Sequence, residues 1–302
     1  MARQLTWYPP EWTGLGPLVL TDQGAGLRVH KGTRGLGAVQ LDVVTQDSPW
    51  VDGTSVEEYF ALPRPVLLPI TLWGADRTEF LTRLRGFERS MRTRAPSGKP
   101  AYGELELAQA DGRRFKLRCF YTGGLPDEET INSGGDTNWV RFNLQLLAAD
   151  PYWYAAEPTI LTWTFPDPVA FLGADFLPLR ISRSATLGDV TILNDGTETA
   201  HGTWRVTGPG TDVILLNNGT GEQLQITETI PDGQVLTVIT GPAEDIDISL
   251  QPADTDWWVK LADDGTLWEI PPGATSASLT LAGADSDSLI ELEFYARFGS
   301  PW

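Results

Sequence analysis

The sequence has one cysteine, Cys119, and two histidines, His30 and His201, in 302 residues. A lone cysteine excludes an intramolecular disulfide and any Cys-rich metal site, and the chain needs no oxidising compartment to fold. Basic residues are scarce: 22 Lys and Arg stand against 40 Asp and Glu, a formal charge of −18. A surface that acidic repels phosphate backbones and anionic headgroups, so specific nucleic-acid binding is not expected. No run of 18 apolar residues occurs, and Met1-Ala-Arg-Gln-Leu-Thr-Trp-Tyr-Pro-Pro lacks the apolar stretch of a secretory signal. Neither a membrane span nor a Sec leader is expected.

Helical periodicity is nearly absent too. Gly (31) and Pro (22) break the chain into runs of five to eight residues, and Trp is frequent at 12. This is the punctuation of a mainly β protein. The length gives two domains at roughly 100 to 200 residues each. Up to Asp150 there are 17 basic and 18 acidic residues, net −1; afterwards there are 5 and 22, net −17. That break falls at Asp150-Pro151-Tyr152-Trp153-Tyr154. The expected domains are therefore 1–150 and 159–302, joined by a linker at 151–158.

In the first domain, strands are expected at Pro17–Thr21, Leu27–His30, Ala38–Thr45, Val66–Trp73 and Trp139–Leu147. Pro69 assigns the fourth to an edge or a bulge. Gly103–Ala108 and Arg114–Tyr121 flank Asp111-Gly112, a hairpin turn. Phe80, Leu84, Phe87 and Met91 recur at helical spacing, predicting one helix over 77–94. Arg85, Arg89 and Arg92 fall on its opposite face, a candidate protein interface against a solvated helix face. The second domain shows nine short runs, at 202–207, 212–216, 223–227, 235–239, 246–250, 257–261, 266–270, 277–281 and 289–294. Turn residues separate them, which predicts an antiparallel β-sandwich or jelly roll without a helix.

Catalytic chemistry is sparsely represented. There is no Gly-x-Ser-x-Gly, Walker loop or His-Glu-x-x-His, and a Cys119–His dyad has nothing local to activate the thiol. The glycines of Gly32-Thr-Arg-Gly-Leu-Gly37 read as a turn. Glu104/Glu106 and Glu291/Glu293 are i, i+2 carboxylate pairs of the sort a sandwich glycosidase uses, but each alternates with apolar residues as any half-wet strand does. The acidic clusters 244–247, 254–256, 263–265 and 285–287 lack EF-hand spacing and read as solvated loops, with loop calcium as the alternative. No catalytic, cofactor-binding or metal-ligating residue is assigned, and no cofactor is expected. Trp204, Trp257, Trp258 and Trp268 raise sugar stacking against core burial. Adjacent Trp257 and Trp258 must face opposite sides of a strand, so the pair is a candidate glycan or partner contact.

Taken in order, several of these segments resemble the distal tail protein family of long-tailed bacteriophages. Ser48-Pro-Trp-Val-Asp-Gly53 precedes an Arg-containing strand from Arg64 to Leu72, then the single helix. The hairpin through Asp111-Gly-Arg113 runs into Leu117-Arg-Cys-Phe-Tyr-Thr-Gly-Gly124, and Phe142-Asn-Leu-Gln-Leu-Leu-Ala-Ala-Asp-Pro-Tyr-Trp153 closes the domain. Thr203-Trp-Arg-Val-Thr-Gly-Pro-Gly210, Asn217-Asn-Gly-Thr-Gly221 and Trp268-Glu-Ile-Pro-Pro-Gly273 are similar to that family's galectin-like module. The resemblance implies a non-enzymatic virion protein made in the host bacterial cytoplasm. Its N-terminal β-sandwich-like domain would form a hexameric ring on the tail tube around a channel for DNA. Its C-terminal galectin-like sandwich would face the hub, fibre and receptor-binding proteins. The alternative is a carbohydrate-binding sandwich that contacts a host-surface glycan.

Overall fold

The computed structural model describes residues 3–47, 50, 52–126, 137–165, 184–241, 246–252 and 255–302. The described residues are mainly β-strand, with one α-helix, and fall into two compact units. The first unit comprises Met1–Ala156 and Phe298–Trp302, the second Glu157–Arg297. Residues 298–302, expected with the second domain, thus group with the first.

The first unit contains β1 (Gln4–Tyr8), β2 (Leu18–Val19), β3 (Leu27–Val29), β4 (Leu41–Asp47), β5 (Thr54–Ala61), β6 (Arg64–Trp73), α1 (Arg77–Ser90), β7 (Gly103–Ala108), β8 (Arg114–Gly123), β9 (Trp139–Ala148) and β10 (Trp153–Ala155). Strands pair in the order β2-β1-β7-β8-β9-β6-β3. The first part of β8 pairs with β7 and its last residues with β9, past a register shift between Tyr121 and Gly123. One strand thereby links two leaves around a shared core. Inward positions alternate as the strand period requires: Val66, Leu68, Ile70 and Leu72 of β6 meet Leu144 and Leu146 of β9, Leu105 and Leu107 of β7, and Leu117 of β8.

The helix closes this core with Phe80, Phe87 and Met91. Asp76 caps its N-terminus by accepting from the Glu79 N–H at 2.8 Å, while the Glu79 carboxylate accepts from Ala75 N–H. It ends at Ser90, four residues before the expected stop at 94. The Ser90 carbonyl is taken by the buried Trp7 indole N–H at 2.9 Å, and Met91 turns into the core, so this tertiary bond overrides the helical pattern. The approach is close enough that a Cβ on Gly103 would lie 2.3 Å from the Trp7 ring. Pro69 does not put β6 at an edge, because β6 lies between β9 and β3. β3 stops at Val29, opposite Ile70, so the N–H that Pro69 lacks falls just beyond that ladder.

One buried cation ties the unit together. Arg64, 4% exposed, opens β6 and donates from Nε to Pro151 O (2.6 Å), from Nη1 to Gly35 O (3.1 Å) and Gly37 O (2.5 Å), and from Nη2 to Gly299 O (3.0 Å). It also lies over the buried Trp153 ring. Gly35 is required in this arrangement: its φ is +82°, and a Cβ would sit 2.1 Å from Pro65 O.

The second unit is a sandwich of β11 (Thr159–Thr164), β12 (Ser184–Asn194), β13 (Gly202–Thr207), β14 (Thr211–Asn217), β15 (Gln223–Ile226), β16 (Val235–Ile239), β17 (Asp247–Gln251), β18 (Thr255–Asp256), β19 (Gly273–Ala282) and β20 (Leu289–Phe294). Six strands pair as β11-β20-β13-β16-β17-β18 and four as β12-β19-β14-β15. Trp204 and Val206 of β13, Ile290 and Leu292 of β20, and Leu236 and Val238 of β16 interdigitate with Leu215, Ile226, Leu279 and Leu281 of the other sheet. Two expected strands are absent. Trp258–Lys260 forms a one-turn 3-10 helix, and 266–270 is irregular apart from the Ala200–Ile270 bridge. Trp268 is held there by its indole N–H on Leu215 O at 2.8 Å, so it is buried without a strand.

Replacing Arg64 by Met removes the donors and leaves up to four carbonyls unsatisfied. Urea unfolding of the first unit is expected to show a loss of about 3 kcal/mol or more, with Arg64→Lys recovering part of it.

Candidate functional site

The residues with chemical potential are engaged structurally. Cys119 is wholly buried in the first core, and burial pushes its thiol far above the ordinary range, so the nucleophilic thiolate is suppressed. Glu104 is paired with Lys116 and Glu106 with Arg114, each at 2.7 Å across β7 and β8. Burial pulls the Lys116 ammonium down, but Glu104, with Glu106 and Tyr8 adding to it, holds it above its usual value. On β20, Glu291 and Glu293 share the Arg205 guanidinium at 2.8 Å each. These are cross-strand ion pairs, in which each carboxylate is matched by a cation on the neighbouring strand.

In the second unit, His201 Nε2 accepts from Arg297 at 3.0 Å and Nδ1 faces Glu269 at 3.3 Å. Hydrogen bonding to that histidine holds the Glu269 carboxyl below its ordinary range. Among the described residues no three His, Cys, Asp or Glu side chains converge as metal ligands would. Asp285 Oδ1 accepts from the Asp287 N–H and Ser288 hydroxyl within its own turn, while residues 244, 245 and 254 of the acidic clusters lie outside the described residues. Among the described residues no helix is long and apolar enough to cross a membrane.

The tryptophans separate cleanly. Trp204 and Trp268 are core residues in edge contact at 5.5 Å between ring centroids. Trp257 is 7% exposed, whereas Trp258 is 41% exposed and its neighbour Val259 84%. Only Trp258 of the four can present its ring to a ligand or partner. Arg85, Arg89 and Arg92 are all exposed, and none has a side-chain partner among the described residues. Arg92 lies just beyond the end of α1.

An extended exposed surface belongs to β4 and β5, where the sequence pattern points to no site. Among the described residues these strands pair only with each other, and every residue of β4 and nearly all of β5 is exposed. The pairing of Leu41 with Ala61 and Val43 with Tyr59 puts these four on one face, with Val56 beyond a register shift. Leu41, Val43, Val56 and Tyr59 are 41–60% exposed. The other face mixes Asp42, Val44, Glu58 and Phe60. A lone two-stranded hairpin is marginal in water, and its open edges and apolar stripe favour further pairing or packing. Its base is fixed: Leu62 N–H donates to Gln40 O, Val39 N–H to Gly299 O, and Arg64 follows immediately. The geometry is that of an arm hydrogen-bonded at its root and exposed along its length.

No protein-family model matches this chain, and neither does any curated protein sequence. Solved structures do match, over the whole of it. The Dit protein (gp 19.1) of phage SPP1, described as a paradigm of the hub adsorption apparatus of phages infecting Gram-positive bacteria, superposes with a TM-score of 0.63 at 12% identity, covering 99% of this chain and 100% of that one. The fold is that of a phage distal tail protein. Chains of the phage P2 baseplate in its activated conformation, with Ca and with Sr, match at a TM-score of 0.57 and 12% identity, covering 98% of each chain. Shared architecture at 12% identity reflects the pattern of strands rather than particular side chains, so individual site residues do not carry over.

Trp257→Ala is expected to cost about 3 to 5 kcal/mol by denaturant unfolding, and Trp258→Ala less than about 0.5 kcal/mol. The Cys119 thiol is expected to resist an aromatic disulfide reagent at pH 8 in the folded protein and to react at once in denaturant.

Proposed function

We propose that the chain is a non-enzymatic structural protein of a phage tail tip, a hexameric ring adaptor between the tail tube and the hub or fibre proteins. The observation that carries this reading is the end-to-end, two-unit correspondence with the Dit and baseplate chains, which a chance likeness of one sandwich would not give. The hairpin supports it from the chain's own physics. Among the described residues nothing covers this arm, and an arm that docks on a different surface of a neighbour generates a head-to-tail assembly, which closes into a ring where the rotation between copies divides a full turn.

Electrostatics fit the same role. Residues 157–297 carry 22 acidic and 5 basic residues, and the rest of the chain is close to neutral. A neutral-to-acidic ring does not retain DNA passing through its channel, because it offers few cations to replace phosphate counterions. Partners of the second unit are then met by a strongly acidic surface, in which the exposed Trp258–Val259 pair, like Ile160 and Leu193, is an apolar feature. That pair is also the observation favouring the second reading, glycan contact by this unit.

Negative-stain imaging of the concentrated, purified chain, classified by rotational symmetry, is expected to show six-fold rings with an open centre. Rings of another order would correct the stoichiometry. Particles that remain single, even with tail-tube protein added as a template, would overturn the adaptor reading.

A further inference from the structure

Two surfaces of the first unit carry opposite charge. Residues 41–61 hold five acids, Asp42, Asp47, Asp52, Glu57 and Glu58, and no Lys or Arg. Residues 77–94, the helix and its exit, hold six arginines against two glutamates. Such an arm and such a helix on every copy are complementary between copies, and the attraction is strongest where docking excludes water.

Each surface also ends in a feature that no other group covers among the described residues. At the turn of the hairpin, Trp50 is 92% exposed, the most accessible large apolar side chain among the described residues, and Asp47 and Asp52 flank it. An indole held in water forgoes a large burial energy, and tryptophan is the residue type most enriched at interface anchors. Beside the exit of α1 lies a cleft of about 630 Å³. Met91, Tyr121 and Leu125 supply apolar lining, and Arg92, Arg94 and Glu88 supply charge, two cations to one anion. The cleft is large enough for an indole, and its net positive charge suits an aromatic flanked by carboxylates.

We propose that Trp50 of one copy seats in this cleft on a second copy, with Asp47 and Asp52 facing Arg92 and Arg94. The inference rests on the ring reading and gives it a specific joint. Arm tip and cleft are different patches, so each copy donates one and receives one, and the contact propagates around the ring instead of stopping at a dimer. The occupant is a second copy because every chain then supplies both halves of the complementary pair. The arginines on the outer face of α1, Arg85 and Arg89, acquire the same role as an electrostatic guide for the arm.

The test uses the full-length chain with single cysteines placed at the joint, Asp52→Cys and Thr93→Cys, Cys119 being buried and unreactive. Mixing the two variants under mild oxidation is expected to give a disulfide-linked dimer, and the double variant a ladder ending at the number of subunits in the ring. Trp50→Ala, at a position exposed in the single chain, is expected to weaken association about tenfold or more by light scattering. Arg92→Glu with Arg94→Glu is expected to do likewise, and adding Asp47→Arg with Asp52→Arg to restore it. Rings that form in Trp50→Ala at the wild-type concentration, with no cross-link, would overturn the joint and leave the ring reading standing; another protein would then be the occupant of the cleft. A wild-type chain that never assembles would overturn both.

Discussion

The guanidinium of Arg64 satisfies carbonyls on the loop at 35–37, the turn at Pro151 and the C-terminal segment at Gly299, and it sits at the first residue of β6. Three chain segments that share no strand ladder at these points are thereby brought to one place. A charge that is 4% exposed is tolerable only because its donors have this many acceptors, so the segments and the cation hold each other in position. The hairpin leaves from this junction. Its root is therefore hydrogen-bonded in place, while its two strands are exposed along their length.

Rigidity and incompleteness occur side by side through the first unit. Its interior is closed, with Leu68, Ile70, Leu105, Leu107 and Leu117 at 0% exposure. Its hairpin, by contrast, leaves Tyr59, Leu41 and Trp50 in water. A monomer gains nothing by exposing these, and an open two-stranded sheet invites aggregation unless a specific partner outcompetes it. Acidic residues along the same arm discourage like-with-like stacking of hairpins and favour the arginine-rich helix, so charge selects the partner that apolar surface alone would not.

Much of the fold was legible because the signals are local. Alternation in β6, β9, β13, β16 and β20 and the 3.6-residue period of Phe80, Leu84, Phe87 and Met91 need no knowledge of neighbours. β5 escaped the reading because Thr54-Ser-Val-Glu-Glu-Tyr-Phe-Ala61 buries nothing and so shows no clean alternation. The segments around Trp258 and Trp268 were misread for the opposite reason: apolar residues there are fixed by contacts distant in sequence, and an indole can be anchored by one hydrogen bond from an irregular backbone. Of the candidate contacts, Arg85 and Arg89 are exposed on α1 where the pattern places them, and Arg92 is exposed just past its end. It did not separate Trp257 from Trp258, because a 3-10 turn does not alternate as a strand does. Arg64 was visible only as a lone charge opening an apolar strand, and the four carbonyls it serves come from segments that no local pattern connects.

The chain leaves the first unit after Ala156 and returns to it at Phe298. In topological terms the second unit is an insertion, a cassette spliced into a loop of its host rather than a domain appended to an end. An inserted cassette is constrained only at its two splice points, so its surface can drift in composition without retuning the host. The concentration of acidity inside the cassette, beside a nearly neutral host, is what independent surface selection produces. Recombination that exchanged the cassette at those points would alter the surface of the second unit while leaving the core of the first unit intact.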